Sequence, residues 1–372
     1  MADSKNPEDA KHALEAVLSE FDSKEDMLAT LCVKTKSLIE ASLEDASIPY
    51  QSVQVRVKSK KKLAEKYMDP RKDYRRLQDI TDLAGLRVIT YYEDDVDRAA
   101  KVIEREFMVD QKNSVDKRDT EPDRFGYNAL NYVCTHLPKR ASDVEYKKFA
   151  GIRCEIQITS ILRHAWSEME HEWYDLKDAY PAKVKRRFYR IAALLELAES
   201  EFLDIRNSRT QYERSVAVRV EANVLDLPID AVSLRSFIEQ ENIVGQIDGS
   251  LAHVMGRGSE GKLDDAWIER RASGLKFIGL TKLEDLRDSL EQFKDAIPEY
   301  VDRCRREKVW PATGARILLP KGISIYHLSG MLVSLRGKEA IVQFWTELGA
   351  QPKWNTERQA AIAKEVAAKY SL

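Results

Sequence analysis

The apolar positions of the chain fall into runs with distinct periods. Leu14, Val17, Leu18 and Phe21 recur at helical spacing, and so do Leu28, Leu31, Leu38 and Ile39, so residues 7–46 read as two helices that end before Pro49. Residues 51–58 then alternate, with Val53, Val55 and Val57 on one side, as in a strand. A short basic helix is expected over 60–68, a buried β-branched strand over 83–91, and a helix over 94–107 whose apolar side carries Val96, Ala99, Val102 and Ile103. Residues 128–136 and 152–158 read as two further strands, and 160–176 as a helix. Pro181 opens a long helix that runs to about Val220, with proline in the first turn where its missing N–H costs little.

Strand, helix, strand, helix, two strands and helix in that order predict an α/β or α+β domain around a central mixed sheet, with α+β the expected class. Residues 224–372 carry mostly short helical patterns, and Gly256, Gly258 and Gly261 suggest a flexible loop among them. The expected organisation is N-terminal helices over 1–48, the α+β domain over 49–180, a connecting helix over 181–222 and a mostly helical region over 223–372.

Composition narrows the function classes. With 60 Lys+Arg against 62 Asp+Glu among 372 residues, the chain does not have the charge to coat nucleic acid without regard to sequence. Cys32, Cys134, Cys154 and Cys304 are far apart and form no C-x-x-C pair, which fits a reduced, cytoplasmic protein. The N-terminus lacks the apolar core of a signal peptide, and no apolar run approaches the ~20 residues of a membrane span.

Charged residues inside apolar strands carry the candidate chemistry. Glu155 and Gln157 share one side of a strand while Ile156 and Ile158 share the other. A carboxylate there needs a cation, either Mg²⁺ held jointly with Asp82 or an arginine such as Arg87. Arg56 and Arg87 also lie within apolar strand patterns, and Lys58 and Lys66 flank the first strand and its helix, whereas Lys60, Lys61 and Lys62 read as a solvated face. Tyr127, after Gly126, offers a stacking surface, although a Gly-Tyr pair at a strand entrance is common without function. His164, Glu168, His171 and Asp175 share a helical side. That spacing can bind zinc, but the order is not H-E-x-x-H, and a substrate-facing helix is the preferred reading. His253 and His327 make no metal spacing with Cys304, and Trp267, Trp310, Trp345 and Trp354 read as core residues.

In order along the chain, Arg56-Val57-Lys58, Asp82-Leu83-Ala84-Gly85-Leu86-Arg87, Gly126-Tyr127, Glu155-Ile156-Gln157, His164-Ala165-Trp166 and Glu170-His171 resemble the RelA/SpoT synthetase domain family. The resemblance spans about residues 50–177 and implies a nucleotidyltransferase-like mixed sheet flanked by helices. It implies an Mg²⁺-dependent pyrophosphokinase that moves the β,γ-pyrophosphate of ATP to a ribose 3′-hydroxyl. By the same resemblance Arg56 and Arg87 sandwich the adenine, Lys58 and Lys66 hold the phosphates, and Asp82 and Glu155 form the metal and catalytic pair. Tyr127, Gln157 and His171 form the acceptor pocket. The stretch before the domain is too short for the hydrolase of the long bifunctional relatives, so the chain is similar to the small alarmone synthetases.

Three departures bear on the acceptor. The usual Gly-Tyr-Arg-Ser-Leu-His run is Gly126-Tyr127-Asn128-Ala129-Leu130-Asn131, the arginine expected after Glu-Ile-Gln-Ile is Thr159, and the loop from Asp116 to Arg124 is acidic. Each dilutes positive charge where the phosphates of GDP or GTP would sit. The resemblance therefore leaves two acceptors: GDP/GTP, for alarmone synthesis, or the 3′ end of tRNA, as in toxic members of the family. Some of those members carry a fused C-terminal domain that senses phage, which makes residues 223–372 a candidate regulatory region that takes a protein trigger. A catalytically inactive nucleotide-binding regulator is the alternative from another class.

Overall fold

The computed structural model describes residues 7–116, 129–174, 181–311 and 318–372. In chain order the elements are α1 (Pro7–Asp45), β1 (Tyr50–Val57), α2 (Lys60–Tyr67), β2 (Ala84–Thr90), α3 (Glu93–Glu106), β3 (Phe107–Val109), β4 (Val115–Asp116), β5 (Leu130–His136), α4 (Pro138–Ala141), β6 (Cys154–Ser160), α5 (Ile161–Tyr174) and α6 (Ala182–Glu221). There follow α7 (Ala231–Gln240), α8 (Asn242–Met255), β7 (Gly258–Gly261), α9 (Asp265–Phe277), α10 (Leu283–Gln292), α11 (Ala296–Arg306), β8 (Leu318–Pro320), α12 (Ile323–Leu335), α13 (Lys338–Glu347) and α14 (Thr356–Lys369). The chain divides into two compact units, 1–206 and 207–372, with the division inside α6. Among the described residues no helix is long and apolar enough to cross a membrane.

The expected pair of N-terminal helices is one helix of 39 residues. Its polar stretch, residues 22–26, contains neither glycine nor proline, so nothing interrupts the backbone hydrogen bonds. The buried stripe carries on through it from Val17 and Phe21 to Leu28, Leu31, Thr35, Ile39 and Leu43. Trimming one of these, as in Leu31→Ala, removes a fully buried side chain and costs about 2–5 kcal/mol.

The first unit is built on a mixed sheet of strand order β1-β2-β6-β5-β3, with β4 added on β5. The β2–β6 pair is parallel, and β1–β2, β5–β6 and β3–β5 are antiparallel. Period-two alternation sorts the side chains into two faces. Val53, Leu86, Val88, Tyr132, Cys134, Ile156 and Ile158 join one core cluster with the stripe of α1 and with Val96, Ala99 and Ile103 of α3. Val55 belongs to the apolar side by alternation, yet it is exposed, because β1 is an edge strand with a neighbour on one side only. The opposite face carries Gln54, Arg56, Arg87, Asn131, Glu155 and Gln157.

The second unit is mostly helical, with Phe237, Leu251, Leu286, Tyr300, Leu328 and Ile362 among its fully buried residues. Asp230 and Ser233 close a capping box at the start of α7. The glycines expected in a flexible loop belong to defined structure. Gly256 caps α8 in the left-handed conformation, at φ 64°, and β7 pairs in parallel with β8. Gly261 is required there, since a Cβ would run into the carbonyl of Leu319.

Candidate active site

Two rows of residues cross the open face of the sheet. In register, Arg56 of β1 stands beside Gly85 of β2, which stands beside Glu155 of β6, which stands beside Val133 of β5. One step along the strands, the row is Gln54, Arg87, Gln157 and Asn131. At a strand spacing of about 4.8 Å, Arg56 and Glu155 are roughly 10 Å apart at their backbones, and Gly85 puts no side chain between them. The row thus has a gap flanked by a cation and a carboxylate.

Next to that gap lies a compact charge cluster. Lys58 continues the Gln54–Arg56 side of the strand, and its Nζ donates to Asp82 Oδ2 at 2.6 Å. Lys66, in the last turn of α2, places Nζ 2.9 Å from the same oxygen. The side chains are 7% exposed for Lys58, 13% for Asp82 and 31% for Lys66, so the cluster is shielded yet reachable. Burial pushes the Asp82 carboxyl up, but the two ammonium partners outweigh it and hold the group below its ordinary value. The other oxygen, Oδ1, is buried without a hydrogen-bond partner. One carboxylate against two ammoniums leaves the cluster a net cation, fit for phosphate. A buried oxygen with both lone pairs unused fits a hard divalent cation.

Arg87 is held along its edges. Its Nε donates to Gln157 Oε1 at 2.8 Å, and its Nη1 lies 3.1 Å from His164 Nδ1 and 2.5 Å from Glu168 Oε1. Helix α5 brings both of these groups, and Arg163 anchors that helix to Glu199 at 2.9 Å and to Glu93. Glu168 is 59% exposed, so its ion pair adds little stability and acts mainly on orientation. Burial and the neighbouring Arg87 lower the His164 pKa against the opposing pull of Glu168, leaving the ring a neutral acceptor at neutral pH.

Residues 55–179 match the family described as the region found in RelA/SpoT proteins. The chain carries a RelA/SpoT synthetase domain. It is similar to the GTP pyrophosphokinase YjbM of Bacillus subtilis (strain 168), with 26% identity over 168 residues, which cover 44% of this chain and 75% of that protein. Among solved structures it is similar to the small alarmone synthetase 1 of Bacillus subtilis, at 22% identity and TM-score 0.42, over 51% of this chain and 99% of that one. It is also similar to a GTP pyrophosphokinase family protein of Streptococcus pneumoniae, at 23% identity and TM-score 0.44, over 52% and 96% of the two chains.

Within the synthetase domain the candidate residues are distributed unevenly. Lys58, Lys66 and Asp82 meet in one cluster, and Arg56, Arg87, Glu155 and Gln157 share the open face. Arg56 is exposed, against the expectation that its apolar strand would bury it, because its side of β1 is the open face. Tyr127 lies outside the described residues, and His171 is placed only as a backbone position in α5. Sequence reading assigned no role to Glu168 as a partner of Arg87. The four-residue spacing from His164 to Glu168 was visible, but an arginine 77 and 81 positions earlier was not a readable partner. His164 and Glu168 turn to that arginine, while the side chains of His171 and Asp175, the other two residues of that helical side, lie outside the described residues.

Proposed function

We propose that this protein is a pyrophosphokinase that transfers the β,γ-pyrophosphate of ATP to the 3′-hydroxyl of a guanosine nucleotide. The observation that carries the reading is the Lys58–Asp82–Lys66 cluster with its unpartnered carboxylate oxygen beside the polar face of the sheet. Lys58 and Lys66 release Asp82 to bind the triphosphate, and Arg56 and Arg87 flank the adenine. Hydrogen bonds along the edges of Arg87 fix its plane while leaving its faces for stacking. Asp82 and Glu155 would hold Mg²⁺, which supplies charge neutralisation at the phosphates when bound.

The acceptor 3′-oxygen attacks the β-phosphorus of ATP. The bond from that phosphorus to the α,β-bridging oxygen breaks, AMP leaves, and Glu155 takes the hydroxyl proton. Tyr127, Gln157 and His171 form the acceptor pocket in this reading. Such chemistry depends on positioning and charge compensation, which a cationic cluster beside a polar sheet face supplies.

The similarity to a protein named GTP pyrophosphokinase supports a guanosine acceptor. One observation favours a second reading, in which the 3′ end of tRNA is the acceptor. Thr159, at the position where the family's arginine is expected, is neutral and 1% exposed, so it brings no charge to an acceptor's 5′-phosphates. Incubation with γ-³²P-ATP and GDP, GTP or bulk tRNA separates the readings by where the label goes. Label on GDP or GTP supports the first and label on tRNA the second. Absence of transfer to any of them, with the protein folded, removes both in favour of an inactive nucleotide-binding regulator.

A further inference from the structure

The second unit carries a half-open cavity of about 1170 Å³, somewhat larger than the ~300–1,000 Å³ usual for small-molecule sites. Four of the six tryptophans of the chain line it, together with Tyr326. Trp267, Trp310, Trp345 and Trp354, read from the sequence as core residues, pack on the core by one side and turn another to this space. The rings are set against one another: Trp345 lies 5.4 Å from Tyr326 and 5.9 Å from Trp354, centroid to centroid. Gln359 fixes two more contacts, since its Oε1 accepts from Trp310 Nε1 at 3.4 Å and from Trp354 Nε1 at 2.5 Å. Its Nε2 donates to Tyr300 at 2.8 Å and Ser334 at 3.0 Å, so the amide is fully used as scaffold.

Two buried polar groups next to the cavity wall have no hydrogen-bond partner. The indole N–H of Trp345 is buried without an acceptor. Behind the rings, Arg271 is 5% exposed, stacks on Trp267 at 5.7 Å and on Tyr326 at 4.9 Å, and its Nε makes no hydrogen bond. Arg257, Arg305 and Lys308 are part of the wall, and among the described residues no Asp or Glu is. In a chain with 62 acidic and 60 basic residues, a wall with cations alone is a local choice. Rings offer stacking, and the cations offer an anion site. An aliphatic ligand would leave the cations unused, and an inorganic anion would leave the rings unused.

We propose that this cavity binds a nucleoside phosphate, with the base among the tryptophans and the phosphate at Arg305 and Lys308. No lining residue belongs to residues 55–179, so the site is separate from the synthetase domain and does not depend on its activity. The test irradiates the full chain with 8-azido-ATP and, in parallel, 8-azido-GTP, and maps labelled peptides by mass spectrometry. Label is expected on peptides within residues 254–360, displaced by excess unlabelled ATP or GTP. Arg305 and Lys308 are exposed, but Arg305 donates a hydrogen bond to the Val254 carbonyl, so circular dichroism and a melt must first show that the double variant Arg305→Glu/Lys308→Glu is folded. It should lower C-terminal labelling roughly tenfold or more at sub-saturating probe, while any label within residues 50–160 stays unchanged. Absence of C-terminal label with both probes, label that unlabelled nucleotide does not displace, or label that the double variant leaves intact overturns the proposal.

Discussion

Asp82 holds the cluster together and, in the proposed reaction, serves the chemistry, and the two roles separate experimentally. Asp82→Ala leaves Lys58, 7% exposed, without its counter-ion, and breaking a buried pair from one side costs about 3–5 kcal/mol. Asp82→Asn is the cleaner perturbation. It keeps an acceptor oxygen for the ammoniums and removes the charge, so the expected loss is about 1–3 kcal/mol. For a unit of this size each kcal/mol lowers the melting temperature by about 2–4 °C. Adding Lys58→Met removes the buried ammonium and substitutes an apolar chain of similar length, while Lys66, at 31% exposure, turns to water. The double variant Lys58→Met/Asp82→Asn should therefore recover most of the melting temperature. Transfer from γ-³²P-ATP should fall at least ~10²-fold in the single variant and stay down in the double one. If the double variant regains both stability and transfer, Asp82 is only a structural counter-ion and the reasoning fails.

Glu155→Gln, with the fold checked by circular dichroism, should lower transfer at least ~10²-fold; full activity would remove Glu155 from the reaction. Glu168→Gln loosens one edge of Arg87 and should raise KM for ATP with a stability change of at most about 1 kcal/mol, whereas an unaltered KM would show that the clamp does not orient Arg87 for the nucleotide. Burial, with Arg271, pushes His327 down to about 3, and burial, with Arg140, pushes His136 down to about 4. Both folded values lie below the ordinary 6.5, so their contribution is present above that pH and is lost as pH falls toward 4 and 3, by at most about 1.4 kcal/mol per pH unit each. Melts at pH 7 and pH 5 should show the loss, His327→Gln should reduce it for the second unit, and a pH-independent melt would refute the assignment. If residues 223–372 act as a brake, a chain ending near Ser215 should transfer more label per molecule than the full chain; equal activity in a folded product refutes a brake.

Local chemistry was readable in the sequence where a period or a motif carries it. Alternation placed Glu155 and Gln157 together, opposite Ile156 and Ile158, and the mixed sheet with flanking helices followed from the order of the elements. Helix existence was readable over residues 7–45, but its continuity was not, because a polar turn without glycine or proline looks like a break when its buried neighbours are unknown. Strand order decided the rest of the site. The parallel β2–β6 pairing sets Glu155 beside Gly85 and Gln157 beside Arg87, and no spacing along the chain encodes that register. Whether an arginine in an apolar strand is buried depended on which face the helices cover, and Arg56 is exposed because α1 and α3 cover the other one. The tryptophans of the second unit show the same limit. Their apolar character was plain, but whether a ring fills a core or lines a cavity depends on how helices from distant parts of the chain pack, which only the tertiary structure decides.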